Sequence, residues 1–293
     1  MKKLSLLLAA VLTMTTLAAC GNSADTKADT TADTAAQTQA AADTAASETE
    51  AADEGAAADG IGYDKLIIGV DDTFAPMGFL DENNELTGFD IELAKLVADK
   101  IGVEVEFQTI DWAMKEQELN QGNIDLIWNG YTITEQRKEE VLFTNPYLDN
   151  KQVVVVMADS DIQTLEDLAG KVVAAQEDSS AIDAINTMPE IKDSFAELAE
   201  FSTNDMAIMD MEAGRSDAVV ADSVLLNYVI SHKDDPSQYR ILDEDFGSEE
   251  FGIGCRKEDT ALCDAINKAI EELKADGQAA EVSTKWFGED IVK

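Results

Sequence analysis

The stretch Leu66-Ile67-Ile68-Gly69-Val70-Asp71-Asp72-Thr73-Phe74 decides how the chain is read. Its first five residues lack the apolar-polar alternation of a half-wet strand, so they predict a strand covered on both faces, as in parallel sheets. Two acids, a hydroxyl and an aromatic ring follow at once. In open α/β sheets ligands bind at the carboxyl ends of strands, so this polar cluster falls where a site is expected. Outward from it, Asp81-Glu82-Asn83-Asn84 predicts the turn of a hairpin. Phe89, Leu93, Leu96, Val97 and Ile101 recur at helical spacing up to Gly102. A strand over residues 103–107, a short helix over 112–120 and a strand over 124–128 come next. The β-α-β-α-β alternation predicts a mostly parallel sheet with helices on its faces.

A second series begins with the apolar run at 153–157, after Pro146-Tyr147. Thr164-Leu165-Glu166-Asp167 reads as a helix start, 172–175 and 217–221 as strands, and 180–188 and 225–230 as helices. Residues 251–255 read as a last strand. A long helix then carries Leu262, Ile266, Ala269, Ile270 and Leu273 on one side. Two sheet-building series predict two α/β lobes.

The residues after the strands are the ones to inspect for chemistry. They include Asp71 and Phe74 after the first, Trp128, Asn129, Gly130 and Thr132 after the third, Ser179 and Ser180 in the second series, and Asp222. Arg137 adds a cation, on a helix opened by Thr134. A cation, an anion and aromatic faces in one crevice are what a free α-amino acid requires. Its carboxylate wants a bidentate Arg, and its ammonium wants a carboxylate with neutral acceptors. Arg137 and Asp222 are the natural pair. From the residues alone Trp112 and Trp128 read equally as core, and Asp222 as a helix cap.

The ordered motifs resemble one family. Residues 69–79 (GVDDTFAPMGF), 86–94 (LTGFDIELA), Asp111-Trp112, Gly122-Asn123-Ile124-Asp125 and 132–137 (TITEQR) are similar to the solute-binding proteins of polar amino-acid ABC importers. Asn145-Pro146-Tyr147, 214–219 (GRSDAV) and Phe251-Gly252-Ile253-Gly254 continue the match in order, over residues 64–288. The resemblance implies a two-lobe, periplasmic-binding-protein-like (Venus flytrap) fold with a two-stranded hinge. Lobe 1 is expected over 61–150 and 249–293, and lobe 2 over 151–248. It further implies that the lobes close on a free amino acid and deliver it to a membrane permease driven by an ATPase.

Position by position, the resemblance makes Asp71, Phe74 and Trp112 the side-chain end of the pocket. Asn129, Gly130, Thr132 and Arg137 then fall where the α-ammonium and α-carboxylate bind, with Ser179, Ser180 and Asp222 on the second lobe; Trp128 is a candidate by its place after the third strand. Two departures stand out. Trp128-Asn129-Gly130-Tyr131 replaces a small residue and a Ser pair, and Gln176-Glu177-Asp178 replaces a Gly-containing turn. Cystine, arginine, lysine and glutamine all stay open as ligands.

Composition bounds the partners. The chain has 60 acidic and 21 basic residues in 293, a net charge of −39, which excludes a general nucleic-acid binder. Residues 21–60 hold nine acids and one Lys, and no Leu, Ile, Val or aromatic residue lies within 22–60. They predict an acidic tether that cannot bury a core, spanning about 35 Å as a coil. Residues 1–19 have two lysines and a short apolar run, the layout of a signal peptide. Leu17-Ala18-Ala19-Cys20 resembles the lipobox of bacterial lipoproteins, which implies lipidation of Cys20, anchoring outside the cytoplasmic membrane, and membrane contact through the lipid alone. A monomer is expected.

No cofactor or metal is expected. The chain has one His, His232, in a polar exposed stretch, and the Asp81 segment lacks the glycine of a calcium loop. Cys255 and Cys263 read as either a disulfide or two buried thiols. Rival functions are a cleft enzyme such as a dehydratase, or a sensing module. The first needs a positioned acid or base that the many carboxylates do not single out, and no catalytic or signalling segment is expected in the residues after Trp286-Phe287.

Overall fold

The structure is a computed structural model of the chain and describes residues 58–293. The signal peptide, Cys20 and nearly all of the tether lie outside the described residues.

A single helical turn, α1 (Ala58–Ile61), leads into β1 (Lys65–Val70). The strands β2 (Thr73–Phe74), β3 (Gly78–Leu80) and β4 (Leu86–Thr87) then form a small antiparallel sheet. Its turn is held by Asp81 Oδ1, which accepts from the backbone N–H groups of Asn83 and Glu85. Next come α2 (Phe89–Ile101), β5 (Glu104–Thr109), a 3-10 turn at Trp112–Met114, α3 (Lys115–Gln121), β6 (Leu126–Ile127), α4 (Arg137–Glu140) and β7 (Leu142–Phe143). Gly102 ends α2 in the left-handed conformation that favours glycine.

The long strand β8 (Leu148–Met157) carries the chain into the second series. That series comprises β9 (Val172–Gln176), α5 (Ser180–Asn186), α6 (Pro189–Lys192), β10 (Glu197–Phe201), α7 (Asn204–Glu212), β11 (Ala218–Asp222), α8 (Ser223–Ser231) and β12 (Tyr239–Phe251). The chain returns to the first sheet through β13 (Gly254–Cys255) and closes with α9 (Thr260–Ala275) and α10 (Gln278–Phe287).

Each lobe is built on one five-stranded sheet, in the orders β5-β1-β6-β13-β7 and β10-β9-β11-β8-β12. In each, four strands share a direction and one opposes them, β13 in the first sheet and β8 in the second. The lobes are joined by β8 and β12, which pair antiparallel from Leu148 opposite Phe251 to Met157 opposite Tyr239. Their register shifts on either side of Asp245.

The strand expected over 251–255 is therefore two pieces. Phe251 ends the joining ladder, and only Gly254 and Cys255 enter the first sheet. Between them the Gly252 N–H donates to the Tyr131 carbonyl, and the Ile253 N–H to Thr144 Oγ1 at 2.9 Å, which turns the chain from one sheet to the other. The helix start read at Thr164 is a 3-10 turn, Glu166–Leu168, within which Asp167 Oδ2 reaches back to accept from the Thr164 backbone and hydroxyl. The face of α9 read from the sequence is buried as expected. Cys255 and Cys263 are free, buried thiols.

Several motifs prove to be structural. Asp125 Oδ2 accepts the Ile67 N–H at 2.8 Å, and Asp217 Oδ2 accepts the Val172 N–H at 2.8 Å, so each lobe fastens the start of a sheet strand in the same way. Arg256 bridges Asp125 and Asp259. Asp90 is wholly buried; its Oδ2 accepts from the Gly130 N–H at 2.7 Å and the Tyr147 hydroxyl at 2.9 Å, while Oδ1 has no partner.

Burial raises the Asp90 carboxyl from 3.8 to about 7. Between these values the native state keeps a proton that the unfolded chain has lost. Its contribution to stability is thus complete below about 4 and lost as pH rises through about 7, a change of up to about 4 kcal/mol. The melting temperature is expected to fall between pH 5 and pH 7.5, and Asp90→Asn to flatten that slope. An unchanged slope in the variant, read by thermal melts, would assign the pH dependence elsewhere.

Candidate functional site

A cavity lies between the lobes. Its first-lobe wall carries Asp71, Phe74, Trp112, Asn129, Gly130 and Arg137. Asp71 follows β1; its Oδ1 accepts from the Thr73 N–H and hydroxyl at 3.0 and 2.7 Å, and burial pushes its carboxyl up. Asn129 Oδ1 accepts the Asp71 N–H at 2.8 Å, leaving its Nδ2 buried without a partner. Gly130 has φ +59°, and a Cβ there would stand 2.6 Å from Phe74 Cε1, so the loop needs glycine for Phe74 to keep its place.

Arg137 is 6% exposed. Its Nη1 donates to the Thr132 carbonyl at 3.0 Å and its Nη2 to the Asp178 carbonyl at 3.3 Å. The guanidinium sits 4.8 Å from the centre of the Tyr131 ring. The nearest carboxylate recorded is Glu116, 3.9 Å from Nε. The Thr134 hydroxyl accepts the Arg137 backbone N–H at 3.1 Å, so Thr134 does open the turn that presents this side chain.

The second-lobe wall carries Gln176, Ser179, Ser180 and Asp222. Ser179 precedes α5 and its hydroxyl donates to the Gln176 carbonyl at 2.7 Å. Asp222 ends β11; its Oδ1 accepts from Asn150 Nδ2 at 2.6 Å and Gln152 Nε2 at 3.0 Å. Burial first, and the neighbouring Glu249 second, hold its carboxyl well above the usual range.

Side chains bond across the cleft. Gln176 Nε2 donates to Asp71 Oδ2 at 2.7 Å, and the Thr132 and Ser180 hydroxyl oxygens lie 3.0 Å apart. Lys115, buried beside Trp112, donates to the carboxylate and carbonyl of Asp178 at 2.6 and 3.1 Å. Asp178 belongs to the turn that departs from the family pattern, and it takes a positive φ of 53° to do this.

The residues singled out in the sequence fall into three places. Asp71, Phe74, Trp112, Asn129, Gly130, Arg137, Ser179, Ser180 and Asp222 face the one cavity. Thr132 lies at its hinge side, in the groove next to it. Trp128 does not reach it: the side chain points into the first-lobe core, 6.5 Å from the Tyr147 ring, because it continues the inward face of β6. Gln176, Gln152, Asn150 and Glu249 belong to the same polar cluster; Gln176 is expected only as part of the turn that departs from the family pattern, and the other three are not among the expected site residues. Gln152, fully buried at the start of the apolar run Val153–Val156, is the one that a polar residue entering a buried strand points to.

The walls offer a cation on one lobe, an anion on the other, an aromatic face and unused N–H donors. Such a set can hold a small zwitterion by opposite charges at its two ends. Two lobes on paired strands with a polar cavity between them define a two-lobe ligand-binding protein. The chain belongs to the bacterial extracellular solute-binding proteins, family 3, whose profile matches residues 66–289.

It is 31% identical over 234 residues to the arginine-binding extracellular protein ArtP of Bacillus subtilis, covering 77% of this chain and 87% of that protein. It is 28% identical over 230 residues to the L-cystine-binding protein TcyJ of Escherichia coli, covering 78% and 84%. Among solved structures, an ABC uptake transporter substrate binding protein from Streptococcus pneumoniae with bound histidine matches with a TM-score of 0.77 and 41% identity. That match spans 78% of this chain and 95% of the other. No helix among the described residues is long and apolar enough to cross a membrane.

Proposed function

We propose that the chain is an extracytoplasmic solute-binding lipoprotein that captures one free polar amino acid between its lobes and passes it to an ABC-type importer. The ligand class is cystine, arginine or lysine, or glutamine. Cys20 is the lipidated N-terminus of the mature protein, residues 20–60 are its tether, and the monomer meets a permease driven by an ATPase. The observation that carries the reading is Arg137 and Asp222 lining one cavity from opposite lobes. Arg137 takes the α-carboxylate, Asp222 the α-ammonium, and Asp71 with Phe74 and Trp112 the side chain. Ligand favours closure because each lobe supplies contacts that an open cleft lacks.

A melting screen of the purified protein over the free amino acids and cystine tests this. At a hundredfold excess over Kd a bound ligand adds about 2.7 kcal/mol, roughly 5–10 °C for a chain of this size. The expected result is a shift of that order with a small subset of polar amino acids. No shift with any of them would overturn the proposal.

A further inference from the structure

Two carboxylates meet between the cavity and the groove beside it: Asp222 lines the first and Glu249 the second. Glu249 is the ladder partner of Asn150, on the pair of strands between the lobes. Its Oε1 accepts from Asn150 Nδ2 at 2.7 Å, Gln152 Nε2 at 2.9 Å and the Thr132 hydroxyl at 3.0 Å. The same two amides donate to Asp222 Oδ1. All of these donors are neutral. The other charged groups lining the groove with Glu249 are Asp183 from α5, Asp149 from β8, Glu250 from β12, and Glu135 and Lys138 from the segment after Thr132. Lys138 pairs with Glu135, and Lys293 with Asp149 and Glu250. Among the described ion pairs, none gives Asp222 or Glu249 a cationic partner.

Two adjacent carboxylates that share neutral donors take up a proton or a cation. Gln152 Oε1, wholly buried on the amide that touches both, has no partner and is a spare acceptor for an N–H donor. Asp222 also faces the cavity. Resting on the amino-acid reading above, we infer that Glu249 is a ligand-binding residue which forms, with Asp222, a two-carboxylate seat for the α-ammonium. An ammonium has three N–H donors, and two carboxylates with the Gln152 carbonyl can receive all three.

Burial and Glu249 hold the Asp222 carboxyl high, so the arriving ammonium replaces a proton, which leaves Asp222 for solvent. Affinity therefore rises with pH across that elevated range. Because Glu249 stands on a joining strand, the ammonium touches the junction of the lobes as well as both walls.

The test measures Kd by calorimetry at pH 5.5, 6.5 and 7.5 for wild type, Glu249→Gln and Glu249→Asp. The probe is whichever of L-arginine, L-lysine, L-glutamine, L-histidine and L-cystine stabilises wild type most. Glu249→Gln is expected to bind about tenfold more weakly at pH 7.5 and with a shallower pH dependence, since Asp222 returns toward the ordinary carboxylate range. Glu249→Asp, which keeps the charge, is expected to keep the wild-type profile and serves in its place if the Gln variant does not fold. Affinity of Glu249→Gln within twofold of wild type, or a loss with a parallel pH profile, would make Glu249 a strut of the junction and overturn the inference. So would an Asp variant whose profile flattens. A wild type that no amino acid stabilises would instead remove the amino-acid reading itself.

Discussion

Arg137→Ala is expected to abolish ligand-induced stabilisation while the unliganded protein still melts cooperatively. A guanidinium has five N–H donors, and two of Arg137's are engaged, by the carbonyls of Thr132 and Asp178. Those bonds and the Tyr131 ring aim the group, while its charge has no carboxylate within hydrogen-bond distance. On the proposed reading, a ligand carboxylate would supply the missing anion in bidentate geometry. Removing one partner of a desolvated charge pair costs 2–5 kcal/mol, about 30-fold or more in Kd. Arg137→Lys keeps the charge and loses the fork, so it is expected to recover only part of the affinity. Near wild-type Kd for Arg137→Ala by calorimetry would remove Arg137 from the site.

Asp222→Asn is expected to split affinity from stability. The side chain keeps its shape, so Asn150 Nδ2 can still donate to an oxygen at position 222. On the proposed reading the variant loses the charge that answers the ligand ammonium, and affinity is expected to fall about 100-fold, close to 3 kcal/mol. The unliganded protein is expected to melt no lower than wild type at pH 7.5. An acid that is costly to bury beside a second carboxylate has been replaced by a neutral group there. Melts and calorimetry on the same preparation check both halves. A fall in unliganded stability with affinity intact would make Asp222 a structural cap.

The sequence shows most of the fold because its signal is periodic and local. Val70, Val154 and Val219 are fully buried where apolar runs predict strands, and the face of α9 is covered where the spacing says. The strand β10 and the helix α7 were not read, because α7 carries Met206 and Met209 on its exposed side and has no clean apolar stripe. The two-piece end at residues 251–255 was also beyond reach, since the Tyr131 and Thr144 contacts that turn the chain come from far along it.

The site was legible on the same terms. Candidate residues at a strand's end or just past it, such as Asp222 and Asp71, are found by counting along the strand. Trp128 was misplaced by that count, because the residue just past β6 still obeys the strand's inward alternation. Glu249 could not be singled out, since it stands in a run with Asp243, Glu244, Asp245 and Glu250, and only the pairing of β12 with β8 sets it beside Asn150. Several residues of the motifs that carry the family resemblance are fastenings and do not line the cavity: Asp125, Asp217 and Asp90 hold backbone.

The bonds between Gln176 and Asp71, and between Lys115 and Asp178, span the cleft with polar partners that water can replace. A hydrogen bond to a charged group adds about 1.5–3 kcal/mol once water's own bonds are counted, and less where one partner is exposed, as the Asp178 carboxylate is. A carrier has to surrender its cargo as well as hold it. A clasp of two such bonds leaves the larger share of the grip to the cargo's own charges, so the lobes are expected to part once those charges are drawn elsewhere.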